Sequence, residues 1–70
     1  MAKNIKSMQS AADGSAAYAE AYDKLGISVT DANGNLRDSE EVYWEIIDSL
    51  GKIENETERD AVAMQILGTS

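Results

Sequence analysis

Neither cysteine nor histidine occurs anywhere in the chain. Without cysteine there is no disulfide and no thiolate metal site. Without histidine the chain lacks the commonest transition-metal ligand and the usual general base. The Ser-His-Asp, Cys-His and zinc constellations are therefore excluded. Long apolar runs are missing too: none approaches the roughly 20 residues that span a bilayer. Met1–Ala12 carries two lysines with no hydrophobic stretch behind them, unlike a secretory signal. The five glycines stand singly at positions 14, 26, 34, 51 and 68, so no phosphate-cradling loop is formed. These absences predict a chain with no enzyme activity, no catalytic residue, no metal and no cofactor.

Positive charge is scarce. Six Lys and Arg face 13 Asp and Glu, a net charge of −7 with a pI near 4.2. Such a surface repels phosphate backbones and disfavours nucleic acid as a partner. The imbalance is local: Asp38 to Asp60 holds nine acids against Lys52 and Arg59, whereas Met1–Ala12 is +2 through Lys3 and Lys6. A solvated face is the plain reading of that acidic block, and a docking surface for a basic partner is the sharper one.

What is present is a short chain with helical patterning. At 70 residues it forms one small domain, and domains near this size bury only about 60% of their unfolded surface. Small scaffolds compensate with disulfides, a metal or oligomerisation. Here oligomerisation or a larger parent chain is what remains.

The spacing predicts an all-α chain of three to four short helices with a small β-hairpin-like turn around residues 27–37. Residues 1–26 read as an alanine-rich helix or a kinked helix pair. Ile5, Met8 and Ala12 form its first stripe, and Tyr18, Tyr22 and Leu25 its second. Asp13-Gly14-Ser15 interrupts it, with Ser15 a candidate N-cap and Gly26 in the place that follows a helix end. Residues 27–70 read as the turn plus two helices. Ile27 and Val29 alternate with Ser28 and Thr30, and Asn33-Gly34 predicts a type I′ turn bringing Leu36 back beside Val29. The stretch is rich enough in acids to resemble a calcium loop. However, neither placement of Gly34 nor of Asp31 sets oxygen ligands at the required positions.

Asp38 with Glu41, and Asn55 with Glu58, predict N-capped helices starting just after residues 38 and 55. The first carries Tyr43, Ile46, Ile47 and Leu50 on one face, with Val42 and Trp44 on its flanks, and Gly51 ends it. Glu41 and Glu45 read as a solvated like-charge pair, since carboxylate pairs turn catalytic only when burial splits their pKa values. The last helix sets Asp60, Met64 and Leu67 on one face and ends at Gly68. Arg59 is expected to pair with Glu56. With Val62 and Ile66 extending the surface sideways, this helix is apolar around more than half its circumference. A third element or another copy should cover the surplus. A tryptophan on a flank covers a core edge or anchors a partner. The candidate interaction residues are therefore Tyr43, Trp44, Ile47, Val62, Met64, Ile66 and Leu67.

Residues 25–70, about two-thirds of the chain, resemble a recurring segment of the tape measure proteins of long-tailed bacteriophages. The residues that carry the resemblance begin with Leu25-Gly26-Ile27-Ser28-Val29, Asp31, Gly34 and Leu36-Arg37-Asp38. They continue with Trp44, Leu50-Gly51, Asn55-Glu56-Thr57-Glu58-Arg59-Asp60-Ala61 and Gly68. The resemblance implies a structural role without catalysis, by helical packing of several copies inside the tail tube. The partners it implies are other copies, the tail tube protein and the tail assembly chaperone. The location it implies is the host cytoplasm during assembly and then the virion tail. Members of that family run on for hundreds of residues, so the resemblance implies a module of the ruler and not the ruler itself. The alternative, from another class, is a small acidic phage-encoded protein that inhibits or titrates a basic host partner through Asp38–Asp60.

Overall fold

Gly14 decides whether the N-terminal segment is one helix or two. In the computed structural model, which describes residues 2–68, it adopts φ = +98°, open to glycine but not to most L-residues. The chain reverses there. Ser15 N–H reaches the Ser10 carbonyl at 3.0 Å and Gly14 N–H the Ala11 carbonyl at 3.2 Å, the paired bonds of a Schellman ending. Four helices result among the described residues: α1 (Ala2–Ala12), α2 (Ala16–Lys24), α3 (Ser39–Leu50) and α4 (Glu56–Leu67). Thr69 and Ser70, the last residues of the stretch quoted above, lie outside the described residues.

Local chemistry sets the other helix ends. α2 closes with Ile27 N–H on the Tyr22 carbonyl at 3.1 Å and Gly26 N–H on the Asp23 carbonyl at 2.9 Å, and both Tyr22 and Ile27 are buried. The Asp38 carboxylate accepts the Glu41 N–H at 3.3 Å, and the Asn55 carbonyl oxygen accepts the Glu58 N–H at 2.9 Å, each satisfying an orphan donor of the first turn. Ser15 occupies the N-cap position of α2, but its side chain makes no cap hydrogen bond.

Between α2 and α3 lies the expected small hairpin, built differently. A type I′ turn needs positive φ at both central residues, yet only Gly34 (φ = +84°) is left-handed there. Asp31 is the reason. Its Oδ1 accepts the N–H groups of Asn33 at 2.9 Å and Asn35 at 3.0 Å, an Asx turn that bends the backbone itself. Asp31 N–H bonds the Asn35 carbonyl at 2.8 Å and Gly34 N–H the Asp31 carbonyl at 3.0 Å, enclosing a three-residue loop. One antiparallel bridge pairs Leu36 with Thr30 rather than with Val29.

The core gathers Met8, Ala21, Tyr22, Leu25, Ile27, Val42, Ile46, Leu50, Val62, Ala63 and Ile66. α1 is its hub and packs on α2, α3 and α4, while α2 also meets α4. Three expected faces are corrected. On α1, Met8 goes inward with Asn4 and Ser7, and Ile5 stays 41% exposed. The α3 face turns toward Val42, fully buried, and leaves Ile47 outside. On α4 the inward residues are Val62, Ala63 and Ile66, and Met64 points outward. The cause on α4 is its even apolarity: several faces are equally greasy, and α1 and α2 select one. Each such Val or Ile contributes about 1.5–3 kcal/mol of burial. α1 and α2 thus cover the Val62, Ala63 and Ile66 face within one copy of the chain and leave Met64 outside.

Candidate functional site

The α3 helix projects the candidate site. Capped at Asp38 and held inward by Val42, Ile46 and Leu50, it must present residues 40, 44, 47 and 48 on the opposite side. There Trp44 is 61% exposed and Ile47 40%. The Trp44 ring meets the half-buried Tyr43 edge-on, with centroids 5.2 Å apart and planes at 78°, a favourable geometry for a ring pair. Tyr43, Trp44 and Ile47 therefore form one aromatic-aliphatic ridge.

The remaining candidates do not join it. Val62 and Ile66 are core residues, and Leu67 packs half-buried against the core. Met64 is exposed but stands on another helix, α4. The sequence misplaced Val62 and Ile66 because apolarity alone does not separate a core face from a docking face.

Arg37, named above only for the resemblance, fixes the loop to α3. Its guanidinium donates to the Ser28 carbonyl at 2.9 Å, to the Glu41 carboxylate at 2.6 Å and to both carboxylate oxygens of Glu45. The hydrogen bond to Glu45, then that to Glu41, raises the Arg37 pKa above its already high value, and the Arg37 hydrogen bond holds the Glu45 carboxyl below its usual range. Glu41 and Glu45 are thus a clamped pair. Spacing could have revealed this, since Arg37, Glu41 and Glu45 succeed one another at four-residue steps. Arg59 pairs with Asp60 at 3.5 Å instead of with Glu56.

A second polar group lies inside. Tyr22 hydroxyl donates to Asn4 Oδ1 at 2.7 Å, Asn4 Nδ2 donates to the Ser39 carbonyl at 3.0 Å, and Ser7 Oγ reaches the Ile66 carbonyl at 2.9 Å. Burial pushes the Tyr22 pKa well above its ordinary value, with the Ser7 hydroxyl opposing. All three side chains have partners, and the group fastens α1 to α2, α3 and α4.

Besides an open depression beside Ala19, Glu20 and Asp23 of α2, two surface cavities stand out. One, about 230 Å³, lies between α2 and α4 beside Ala17, Ala21, Ala61 and Val62. The other, about 240 Å³, is lined by Ile5, Met8 and Leu36 with Arg37, Asp38 and Ser39. Among the described residues no three metal-ligating side chains converge, and no helix is long and apolar enough to cross a membrane. No family model, no curated protein and no solved structure matches the chain.

Proposed function

We propose that this chain is a structural, non-catalytic helical module of the phage tape measure kind, acting through association with copies of itself and with the tail tube. The observation that carries the reading is how the residues behind the resemblance are used. Gly26, Asp31, Gly34, Arg37, Asp38, Asn55 and Gly68 each close a helix, bend the loop or clamp it, and Leu50 is core. None is placed to attack a substrate. Of the large apolar members, Trp44 is 61% and Leu36 41% exposed, surface that an association can use. A decoy for a basic partner draws less support, because Arg37 already engages Glu41 and Glu45.

Sedimentation of the purified chain over a wide concentration range tests the association. Reversible assembly that Trp44→Ala removes without loss of helicity supports it, and a monomer at every concentration overturns it. Mass spectrometry of purified tails from a phage or lysogen encoding the chain tests the assignment. Tails lacking peptides of residues 25–70 would refute it.

A further inference from the structure

Asn33-Gly34 is a strong turn signal, yet the loop is bent by the Asp31 carboxylate rather than by a type I′ turn. What the pair still offers is reactivity. The amide carbon of an asparagine lies within reach of the next residue's backbone nitrogen. A side chain on that next residue obstructs the approach, and glycine, without a Cβ, leaves it open. Of the four asparagines, at positions 4, 33, 35 and 55, only Asn33 precedes a glycine. Asn4 precedes Ile5, Asn35 precedes Leu36 and Asn55 precedes Glu56. The fold widens the difference. Asn4 is buried with both ends of its amide bonded, and Asn55 Oδ1 is held by the Glu58 N–H. Asn33 and Gly34 are exposed, and a Cβ placed on Gly34 would meet nothing within 4 Å. The turn draws on the Asn33 backbone N–H and not on its amide.

We infer that Asn33 is a site of self-modification, converting through a cyclic imide to aspartate and isoaspartate, with the Asp31 turn setting the rate. Gly34 N attacks Asn33 Cγ. The new N–C bond closes the imide as the Cγ–Nδ2 bond breaks, and the Gly34 amide proton departs with Nδ2 as ammonia. Water then opens the ring. Opening at the Cγ carbonyl gives aspartate, and opening at the Asn33 main-chain carbonyl gives isoaspartate, whose backbone runs through Cβ. Amide and water become acid and ammonia, with no cofactor consumed. In the closed loop the attacking nitrogen is occupied, because Gly34 N–H donates to the Asp31 carbonyl at 3.0 Å. The N–H groups on either side of it, of Asn33 and Asn35, are both held by Asp31 Oδ1. The Gly34 bond must open before attack, and the Asp31 carboxylate keeps it shut by clamping both neighbours.

Isoaspartate lengthens the backbone between Asp31 and Asn35. The bond from Asp31 N–H to the Asn35 carbonyl, 2.8 Å in the intact loop, then falls out of register, as does that from Asn35 N–H to Asp31 Oδ1. Just beyond lie Leu36, bridged to Thr30, and Arg37, whose guanidinium ties Ser28 to Glu41 and Glu45. Conversion therefore loosens the loop from α3. None of this depends on association with other copies.

Incubation of the whole chain at neutral pH, folded or unfolded in urea, tests the site by peptide mapping. Trypsin cuts after Lys24 and Arg37, and fragment masses of the released peptide separate Asn33 from Asn35. An isoaspartyl methyltransferase reports the isomer. Asn33 of the folded chain should convert first of the four. The unfolded chain should convert about tenfold faster or more, since two such hydrogen bonds must open in the folded one. Asp31→Ala should raise the folded rate severalfold and leave the unfolded rate alone, whereas Asp31→Asn, which keeps an acceptor oxygen, should stay near wild type. Gly34→Ala should slow the unfolded chain, where no turn is at stake. The isolated isoaspartyl chain should keep its helicity but unfold at lower urea than the intact one. Conversion of Asn33 no faster than of Asn35 in the folded chain overturns the site. Equal rates in folded and unfolded chains, or in Asp31→Ala and wild type, overturn control by the turn. Equal urea midpoints for isoaspartyl and intact chains overturn the loosening of the loop.

Discussion

Tyr22→Phe removes one oxygen and tests the whole account of the core. The phenol ring is 2% exposed and Asn4 fully buried, so the substitution keeps the apolar packing and removes the hydroxyl that donates to Asn4 Oδ1 at 2.7 Å and that Ser7 also bonds. No other donor to that oxygen is present among the described residues, and water cannot reach it. An orphaned buried acceptor costs about 1–3 kcal/mol. A chain of this length is stable by roughly 4–10 kcal/mol, and each kcal/mol moves the midpoint about 4–8 °C. Thermal unfolding followed by circular dichroism should therefore fall by on the order of 10 °C. Tyr18→Phe, which loses only the half-buried hydroxyl facing Lys3, should stay within about 0.5 kcal/mol. Alkaline pH adds a separate signature. The folded Tyr22 pKa lies above its unfolded value of 10.0, so its contribution is complete below pH 10 and lost as pH rises beyond it. The Phe variant should lack that component. Equal melting of wild type and Tyr22→Phe would refute the idea that this hydrogen bond fastens the core.

Gly34→Ala forces a Cβ into a left-handed position (φ = +84°) and should cost about 1–2 kcal/mol. Gly51→Ala, at a helical φ of −64° with its nearest new contact at 3.4 Å, should be neutral or gain about 0.4–1 kcal/mol; urea midpoints separate the two. Asp38→Ala and Asn55→Ala should each lose about 1 kcal/mol, whereas Ser15→Ala, whose side chain makes no cap bond, should lose much less in the same titration. Glu45 is depressed below its ordinary 4.5 by Arg37, so its contribution is present above that pH and lost as pH falls through the folded value. The difference in urea midpoint between wild type and Glu45→Gln should accordingly close in acid and persist at neutral pH. A chain of residues 25–70 alone lacks α1 and α2, and circular dichroism should show it without cooperative unfolding.

The features legible in the sequence are those decided within a few residues. An Asp or Asn three positions before a backbone N–H caps a helix wherever it stands, so Asp38 and Asn55 were readable. Gly26 and Gly68 end helices for equally local reasons. The inward faces were not readable to the same degree, because they are settled by partners remote in the chain. Asn4 and Ser7 look like surface residues until Ser39, Tyr22 and Ile66 are set against them, 35, 18 and 59 positions away. Ile5, by spacing alone, looks like the better core residue. On α3 the stripe expected from Tyr43 and Ile47 is one step of rotation from that of Val42 and Ile46. That small error moved the exposed ridge from the margin of the prediction to its centre.

Polar atoms inside α1 explain how so small a core holds one arrangement. A helix that met its neighbours through methyl groups alone would rotate or slide at little cost, since apolar contact has no direction. α1 instead reaches a carbonyl in the first turn of α3, at Ser39, and one in the last turn of α4, at Ile66. The Ile66 carbonyl is among the four at a helix end with no intrahelical donor, and Ser7 supplies one. Sliding α1 by a single turn would strip the buried Asn4 amide and the Ile66 carbonyl of their partners, each at about 1–3 kcal/mol, while Ser7 would keep the Lys3 carbonyl of its own helix. Total stability is of the same order as that combined loss, so the shifted state is not populated. The orientation of α3, and with it the direction of Trp44, is therefore set in part by Asn4, a residue of the N-terminal helix.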